Sequence, residues 1–198
     1  NARLSKKSIN KYLPYKKFMN FGLSKLKSIY VRSDEDLANF SELTRVNTKI
    51  MGNIKFDSVP PLGTQKKIKL LKEQLKISNE FILVAGSTRP GEEKILLKLV
   101  EKLNNKKLIL VIVPRHPERF IEVEKIFQSQ SLTIERKSKL ENLVKTPKYI
   151  LGDTMGDLYE LYGAATLAII GGSILNYGGQ NPIEPMCSNI QTAVGPSI

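Results

Sequence analysis

Residues 81–117 read FILVAGSTRPGEEKILLKLVEKLNNKKLILVIVPRHP, and this stretch decides the fold. Phe81 to Ala85 is a short apolar run, Glu92 to Leu103 has helical spacing, and Leu108 to Val113 is again continuously apolar. Apolar runs without alternation, joined through a helix, are what a parallel sheet covered on both faces requires. The pattern continues downstream. A helix is predicted near Pro117 to Gln128, strands near Leu132 to Arg136 and at Tyr149 to Leu151, and a helix at Asp157 to Ala165. A strand at Leu167 to Ile170, a helix opening near Pro182 and a strand at Ile190 to Val194 complete the series. With a helix at Gln65 to Ile77 in front, the chain from about residue 64 reads as a Rossmann-like α/β domain.

Upstream the pattern changes. Asp57-Ser58-Val59-Pro60-Pro61-Leu62-Gly63 has two prolines, one glycine and no periodicity, the marks of a linker. Before it, Tyr15, Phe18, Met19, Leu26 and Ile29 fall at helical spacing after Pro14, Ser28 to Arg32 reads as a strand, and Ser33 caps a helix led by Asp34, Glu35 and Asp36. Thr48 to Met51 reads as the next strand. The expected division is therefore residues 1–57, a linker at 58–63, and a second domain over 64–198. The chain opens on Asn1 and stops at Gly195-Pro196-Ser197-Ile198, straight after a strand-like run, so it reads as a piece of a longer protein.

Composition narrows the function. The 198 residues carry 31 Lys+Arg against 19 Asp+Glu, a net +12, with one Cys, one His and no Trp. A single Cys187 excludes an internal disulfide framework, and one His with one Cys cannot supply the usual zinc ligand set. No apolar run approaches the roughly 20 residues of a membrane-spanning helix. The charge is uneven: residues 1–33 hold nine Lys/Arg and no acid, leaving 22 basic and 19 acidic side chains for the rest. That leading segment fits an anionic lipid surface, a nucleic acid, or a solvated helix face packed on further protein.

Four loops carry polar residues at predicted strand ends, where open α/β sheets bind ligands. Gly86 to Glu93 reads as an ordinary turn into a helix, or as a loop whose glycines and hydroxyls approach a ligand. Pro114-Arg115-His116-Pro117 sets a cation, stiffened by two prolines, at the end of the most apolar strand, which suits a phosphate. His116 fits a structural role as well as an acid–base one. In Gly152-Asp153-Thr154-Met155-Gly156-Asp157, Asp153 or Thr154 would cap the next helix, while Met155 and Gly156 suit contact with a base or sugar. In Tyr177-Gly178-Gly179-Gln180-Asn181-Pro182-Ile183-Glu184-Pro185, Asn181, Pro182 and Glu184 read as N-cap, N1 and N3, with Glu184 either closing a capping box or reaching ribose hydroxyls. A dinucleotide fingerprint, a Walker A loop and a Gly-x-Ser-x-Gly elbow are all missing from the sequence.

Taken together, the four loops resemble the 3-deoxy-D-manno-octulosonic acid (Kdo) transferase family. Asn1-Ala2-Arg3-Leu4-Ser5 and Gly52-Asn53-Ile54-Lys55-Phe56-Asp57 are similar to motifs of that family as well. The resemblance implies a GT-B glycosyltransferase: a nucleotide-sugar domain plus the tail end of a second Rossmann-like, acceptor-side domain. It implies transfer of Kdo from CMP-Kdo to a lipid A precursor, inverting and without metal or other cofactor, at the cytoplasmic face of a bacterial inner membrane. CMP contacts would fall on Pro114 and Arg115, on Met155, Gly156 and Asp157, and on Asn181, Pro182, Ile183 and Glu184. The catalytic base of the family is a glutamate outside this chain, so no catalytic residue is assigned. Arg89-Pro90 stands where His-Glu is common, and Gln180 where His is common, which leaves their roles open. On this reading the cationic segment faces an anionic membrane, not nucleic acid. The alternatives are a GT-B enzyme for another nucleotide sugar and a basic RNA-binding α/β module.

Overall fold

The computed structural model describes residues 1–197, with the side chain of Asn142 outside the description. Ile198, the last residue of the second domain expected from sequence, lies outside the described residues. The chain divides into two compact units, Asn1–Ser58 and Val59–Ile198.

In the N-terminal unit, α1 (Lys6–Tyr12) and α2 (Lys16–Leu23) precede a parallel pair, β1 (Ile29–Val31) and β2 (Thr48–Ile50), joined through α3 (Asp34–Leu43). Ser33 caps α3 as the sequence predicts, its hydroxyl accepting the Asp36 amide. Buried Asp36 accepts the Leu4 amide at 2.8 Å and Asn39 donates to the Leu4 carbonyl, tying the chain start to α3 over a core of Leu4, Ile9 and Leu43. The predicted helix after Pro14 needs correction. Helix already begins at Lys6, a 3-10 turn spans Leu13–Tyr15, and α2 ends at Leu23, so Leu26 and Ile29 leave the stripe. Ile29 serves the sheet instead, while Tyr15 and Phe18 stay 67% and 76% exposed.

The second unit begins with α4 (Thr64–Gln74), β3 (Phe81–Thr88), α5 (Glu92–Leu103), β4 (Leu108–Pro114) and α6 (Phe120–Gln128). It continues with β5 (Glu135–Arg136), β6 (Tyr149–Leu151), α7 (Leu158–Ala164), β7 (Leu167–Ile170), α8 (Ile183–Cys187) and β8 (Gln191–Ala193). The strands form one all-parallel sheet in the order β5-β6-β4-β3-β7-β8. This is the α/β, Rossmann-like architecture that the alternation predicts. Because strand side chains alternate faces, β3 and β4 feed two cores. Ile82, Val84, Ile109 and Val111 pack with Ile68 and Leu71 of α4, and Leu83, Ala85, Leu110 and Ile112 with Leu96, Leu97 and Phe127 of α5 and α6. Both faces are covered, which explains why β4 is buried along its whole length. The predicted strand at Leu132 to Arg136 shrinks to Glu135–Arg136, an edge pair beside β6.

The topology positions the site. From β3 the chain runs through β4 to β6 on one side and returns as β7 on the other, so the order reverses between β3 and β7. A crevice opens beyond the carboxyl ends of the strands at such a switch point, which is where sheets of this kind take ligands.

Candidate functional site

At the switch point the two loops approach at bare backbone. A Cβ at Gly171 would run into the backbone of Ser87, and the Gly171 amide donates to the Gly86 carbonyl at 2.8 Å. Ser87 itself is left-handed (φ 57°), where the β3–β4 register shifts between Gly86 and Thr88. Glu92, fully buried at the start of α5, holds the junction. Its carboxylate accepts the amides of Arg89 (2.9 Å), Gly172 (2.7 Å), Ile174 (3.0 Å) and Leu175 (3.3 Å). Next to it Glu93 accepts the Thr88 hydroxyl and pairs with Arg119 at 2.8 Å; Arg119 also holds Glu122. Burial alone would lower the Arg119 pKa, but the hydrogen bonds it donates to Glu93 and Glu122 win and raise it. In the sequence, Glu92 and Glu93 stand only at the opening of a helix. Acids in a first turn look alike whether they face water or a neighbouring loop, so no local signal marks these two.

Around this frame lie the groups predicted from sequence. Pro114, Arg115, Met155 and Gly156 come together, with Ser87 and Thr154 among others, around a recess of about 60 Å³. That is far below the roughly 300–1,000 Å³ of pockets enclosing drug-sized ligands, so the recess has room for only a part of such a molecule. The Arg115 amide is fixed on the Thr88 carbonyl, and its exposed side chain forms no ion pair within 4 Å among the described residues. Glu184 sits opposite in charge: burial pushes its carboxyl above the ordinary 4.5, against the pull of the Arg115 guanidinium. It also helps to raise the pKa of Tyr162, whose burial is the larger cause and whose hydroxyl occupies the space a side chain at Gly86 would need.

The remaining predicted residues lie elsewhere. Asp157 does not line the recess; it pairs with Lys137 at 2.8 Å, and Lys137 also holds Glu160. Burial works against its charge, yet the Lys137 bond prevails and keeps the carboxyl below its ordinary range. Asn181 and Pro182 are exposed and Ile183 is buried, and none of the three lines the recess. The capping box is half made: the Asn181 side chain accepts the Ile183 amide at 3.2 Å, as an N-cap two residues ahead would, although α8 is counted from Ile183 with Pro182 before it, and among the described residues no bond returns from Glu184 to the Asn181 amide. α8 is only five residues long and carries Pro185 in its first turn, where a missing N–H is tolerated. Asp153 does not cap α7 either. It accepts the amide and hydroxyl of Ser138 and faces Arg136, because the 3-10 segment Lys137–Asn142 reaches it first. A larger recess, about 790 Å³, lies in the N-terminal unit, lined by Tyr15, Lys16, Lys17, Phe18, Arg45 and neighbours.

An all-parallel sheet whose order reverses at a glycine-lined switch point defines an α/β domain of the Rossmann-like class. Comparison with known proteins narrows this. The family described as 3-deoxy-D-manno-octulosonic-acid transferase (kdotransferase) matches residues 1–58. The chain is similar to the C-terminal CMP-Kdo binding domain of WaaA from Acinetobacter baumannii, with 35% identity and a TM-score of 0.63 over 69% of this chain and 72% of that domain. It is 34% identical over 201 residues to the 3-deoxy-D-manno-octulosonic acid transferase of Haemophilus influenzae, covering 98% of this chain and 46% of the relative. It is also 34% identical over 190 residues to a bifunctional glycosyltransferase/methyltransferase of Fusobacterium nucleatum, covering 94% of this chain and 29% of that protein. The chain belongs to the 3-deoxy-D-manno-octulosonic acid transferase family. It spans less than half the length of these two curated relatives.

Proposed function

We propose that the chain is the donor-binding part of a GT-B glycosyltransferase that moves Kdo from CMP-Kdo to a lipid A precursor in lipopolysaccharide synthesis, with inversion and without a metal. The observation that carries this reading is the gathering of Arg115, after β4, with Met155 and Gly156, after β6, around one recess, with Glu184, after β7, within electrostatic reach of Arg115. As the glycosidic bond forms, CMP departs with growing negative charge, and a cation already in place lowers that barrier. Arg115 fills this role. The five-residue α8 adds little dipole, so the charge is borne mainly by the guanidinium. Met155 and Gly156 offer an apolar side chain and bare backbone to the nucleoside, and Glu184 offers its carboxylate to ribose hydroxyls. No residue of this chain is assigned as the base that deprotonates the acceptor.

The N-terminal unit supports an acceptor-side role at an anionic membrane surface, on the cytoplasmic face of the inner membrane. Lys16, Lys17 and Arg45 border its recess beside exposed Tyr15 and Phe18, a mixture suited to lipid phosphates and acyl chains. Among the described residues no helix is long and apolar enough to cross a membrane. Calorimetric titration with CMP, and with UDP as the rival nucleotide, tests the site. CMP is expected to bind more tightly, and Arg115→Ala to weaken it about tenfold, the worth of one charge-assisted bond. Unchanged CMP affinity in both Arg115→Ala and Glu184→Ala would sink the assignment, and tighter UDP binding would favour another nucleotide sugar.

A further inference from the structure

Arg89 and Arg115 leave neighbouring strand ends: Thr88 of β3 is in register with Pro114 of β4, and the Arg115 amide donates to the Thr88 carbonyl. Arg89, on the loop after β3, lies with its guanidinium 5.0 Å from the centre of the Tyr177 ring, and its Nη1 is 2.8 Å from His116 Nε2. Its Nε is buried without a hydrogen-bond partner, and no carboxylate pairs with it among the described residues. The one acid close to its backbone, Glu92, is already saturated by four amides. The Arg89 stem and the Gln180 amide both sit over Gly172, where a side chain would meet them, so the group is seated on the switch point rather than loose in solvent.

A guanidinium fixed by stacking and by an imidazole, with a donor unspent, is a site for a planar oxyanion. Its place decides which one. The imidazole that holds the Arg89 guanidinium belongs to His116, the residue after the cation assigned to the phosphate, so both arginines belong to the same pair of loops. In an activated 2-ulosonic acid one carbon bears both the phosphate ester oxygen and the carboxylate, so the two anions sit within a few bonds of each other. Two cations from neighbouring strand ends suit such a pair of anions, whereas an ordinary aldose donor carries no carboxylate on its anomeric carbon. Resting on the CMP-Kdo reading above, we infer that Arg89, held by Tyr177 and His116, binds the carboxylate of the transferred sugar acid and makes this chain selective for acidic donors.

The test compares CMP and CMP-Kdo by titration against the wild-type chain, Arg89→Ala and Arg89→Lys. The wild type is expected to prefer CMP-Kdo. Arg89→Ala should reduce that preference about tenfold while leaving CMP affinity unchanged, and Arg89→Lys should keep part of it. Melting temperatures of both variants near the wild-type value are expected, because the bond to His116 is exposed and Tyr177 is 42% exposed. An unchanged preference in Arg89→Ala overturns the inference while leaving the CMP site intact. So does an equal loss for both ligands, which would make Arg89 a support for the nucleotide. Weaker binding only to a phosphorylated glucosamine acceptor also overturns it, moving Arg89 to the acceptor. No binding of either CMP or CMP-Kdo to the wild type removes the functional reading itself, and the inference with it.

Discussion

Arg115 and Arg119 are four residues apart after the same strand, yet they live in different chemistry. Arg119 is buried and spent: it grips Glu93 and Glu122 and donates to the Thr88 carbonyl. Arg115 is exposed and without an ion pair among the described residues, within electrostatic reach of Glu184, whose carboxyl burial displaces from its ordinary titration. The acids repeat the contrast. Glu92 and Glu93 have every oxygen committed, whereas among the described residues no such set of donors meets Glu184. Committed charges hold the loops of the switch point in position; uncommitted ones are left for what enters it.

The largest expected effect comes from breaking the committed pair. Arg119→Leu leaves Glu93 buried without its cation, and truncating one partner of a buried pair typically costs about 3–5 kcal/mol. Urea denaturation should show the midpoint falling with the slope unchanged. A loss no larger than that of Arg115→Ala would erase the contrast between the two arginines. The double variant Arg119→Leu with Glu93→Gln should recover part of the stability, since the orphaned charge goes with its partner.

A smaller effect is expected at Glu92. Glu92→Gln keeps one acceptor oxygen but turns the other into a donor facing amides, leaving buried N–H groups unsatisfied at about 1–3 kcal/mol. The loss should be local as well as global. Hydrogen exchange at Gly172, Ile174 and Leu175 is expected to speed up before that of the β3–β4 ladder. Uniform acceleration over the whole sheet would mean that Glu92 supports the core in general and not this junction.

How much of this was legible beforehand follows the same division. Continuous apolar runs announced β3, β4 and the two-faced core, because burial on both sides leaves no choice of residue. Arg115, Met155 and Gly156 were also legible, since a cation or a bare glycine at a strand end has little to do in packing. What escaped depends on partners distant in sequence. Glu92 meets amides about 80 residues away, and Asp153 is claimed by Ser138 before it can cap α7. The helix before Pro14 escaped because Ser5 caps it with no acid in its first turn and only Ile9 buried, so no apolar stripe advertises it. The apolar stripe that was read there includes exposed aromatics, a pattern that periodicity alone equates with a core.

The finest test of the contrast is the pH dependence at Glu184. Burial raises its folded-state pKa above 4.5, the value an unfolded chain would show, and the Arg115 guanidinium only partly opposes this. The folded protein therefore holds the Glu184 proton more firmly than the unfolded chain does. Its contribution to stability is fully present below 4.5 and is lost as pH rises through the raised value, the reverse of a salt-bridged carboxylate such as Asp157. Denaturation of the wild type and Glu184→Gln from about pH 4 to about pH 8, which brackets the carboxylate range and its raised tail, isolates the difference. The amide variant should lose this decline, so the two stability curves diverge as pH rises, with the variant favoured. Arg115→Ala removes the opposing pull and should move the wild-type decline to higher pH. A decline that instead appears on acidification would make Glu184 a committed charge like Glu93, and the crevice would then hold a closed ion pair with no carboxylate left for ribose.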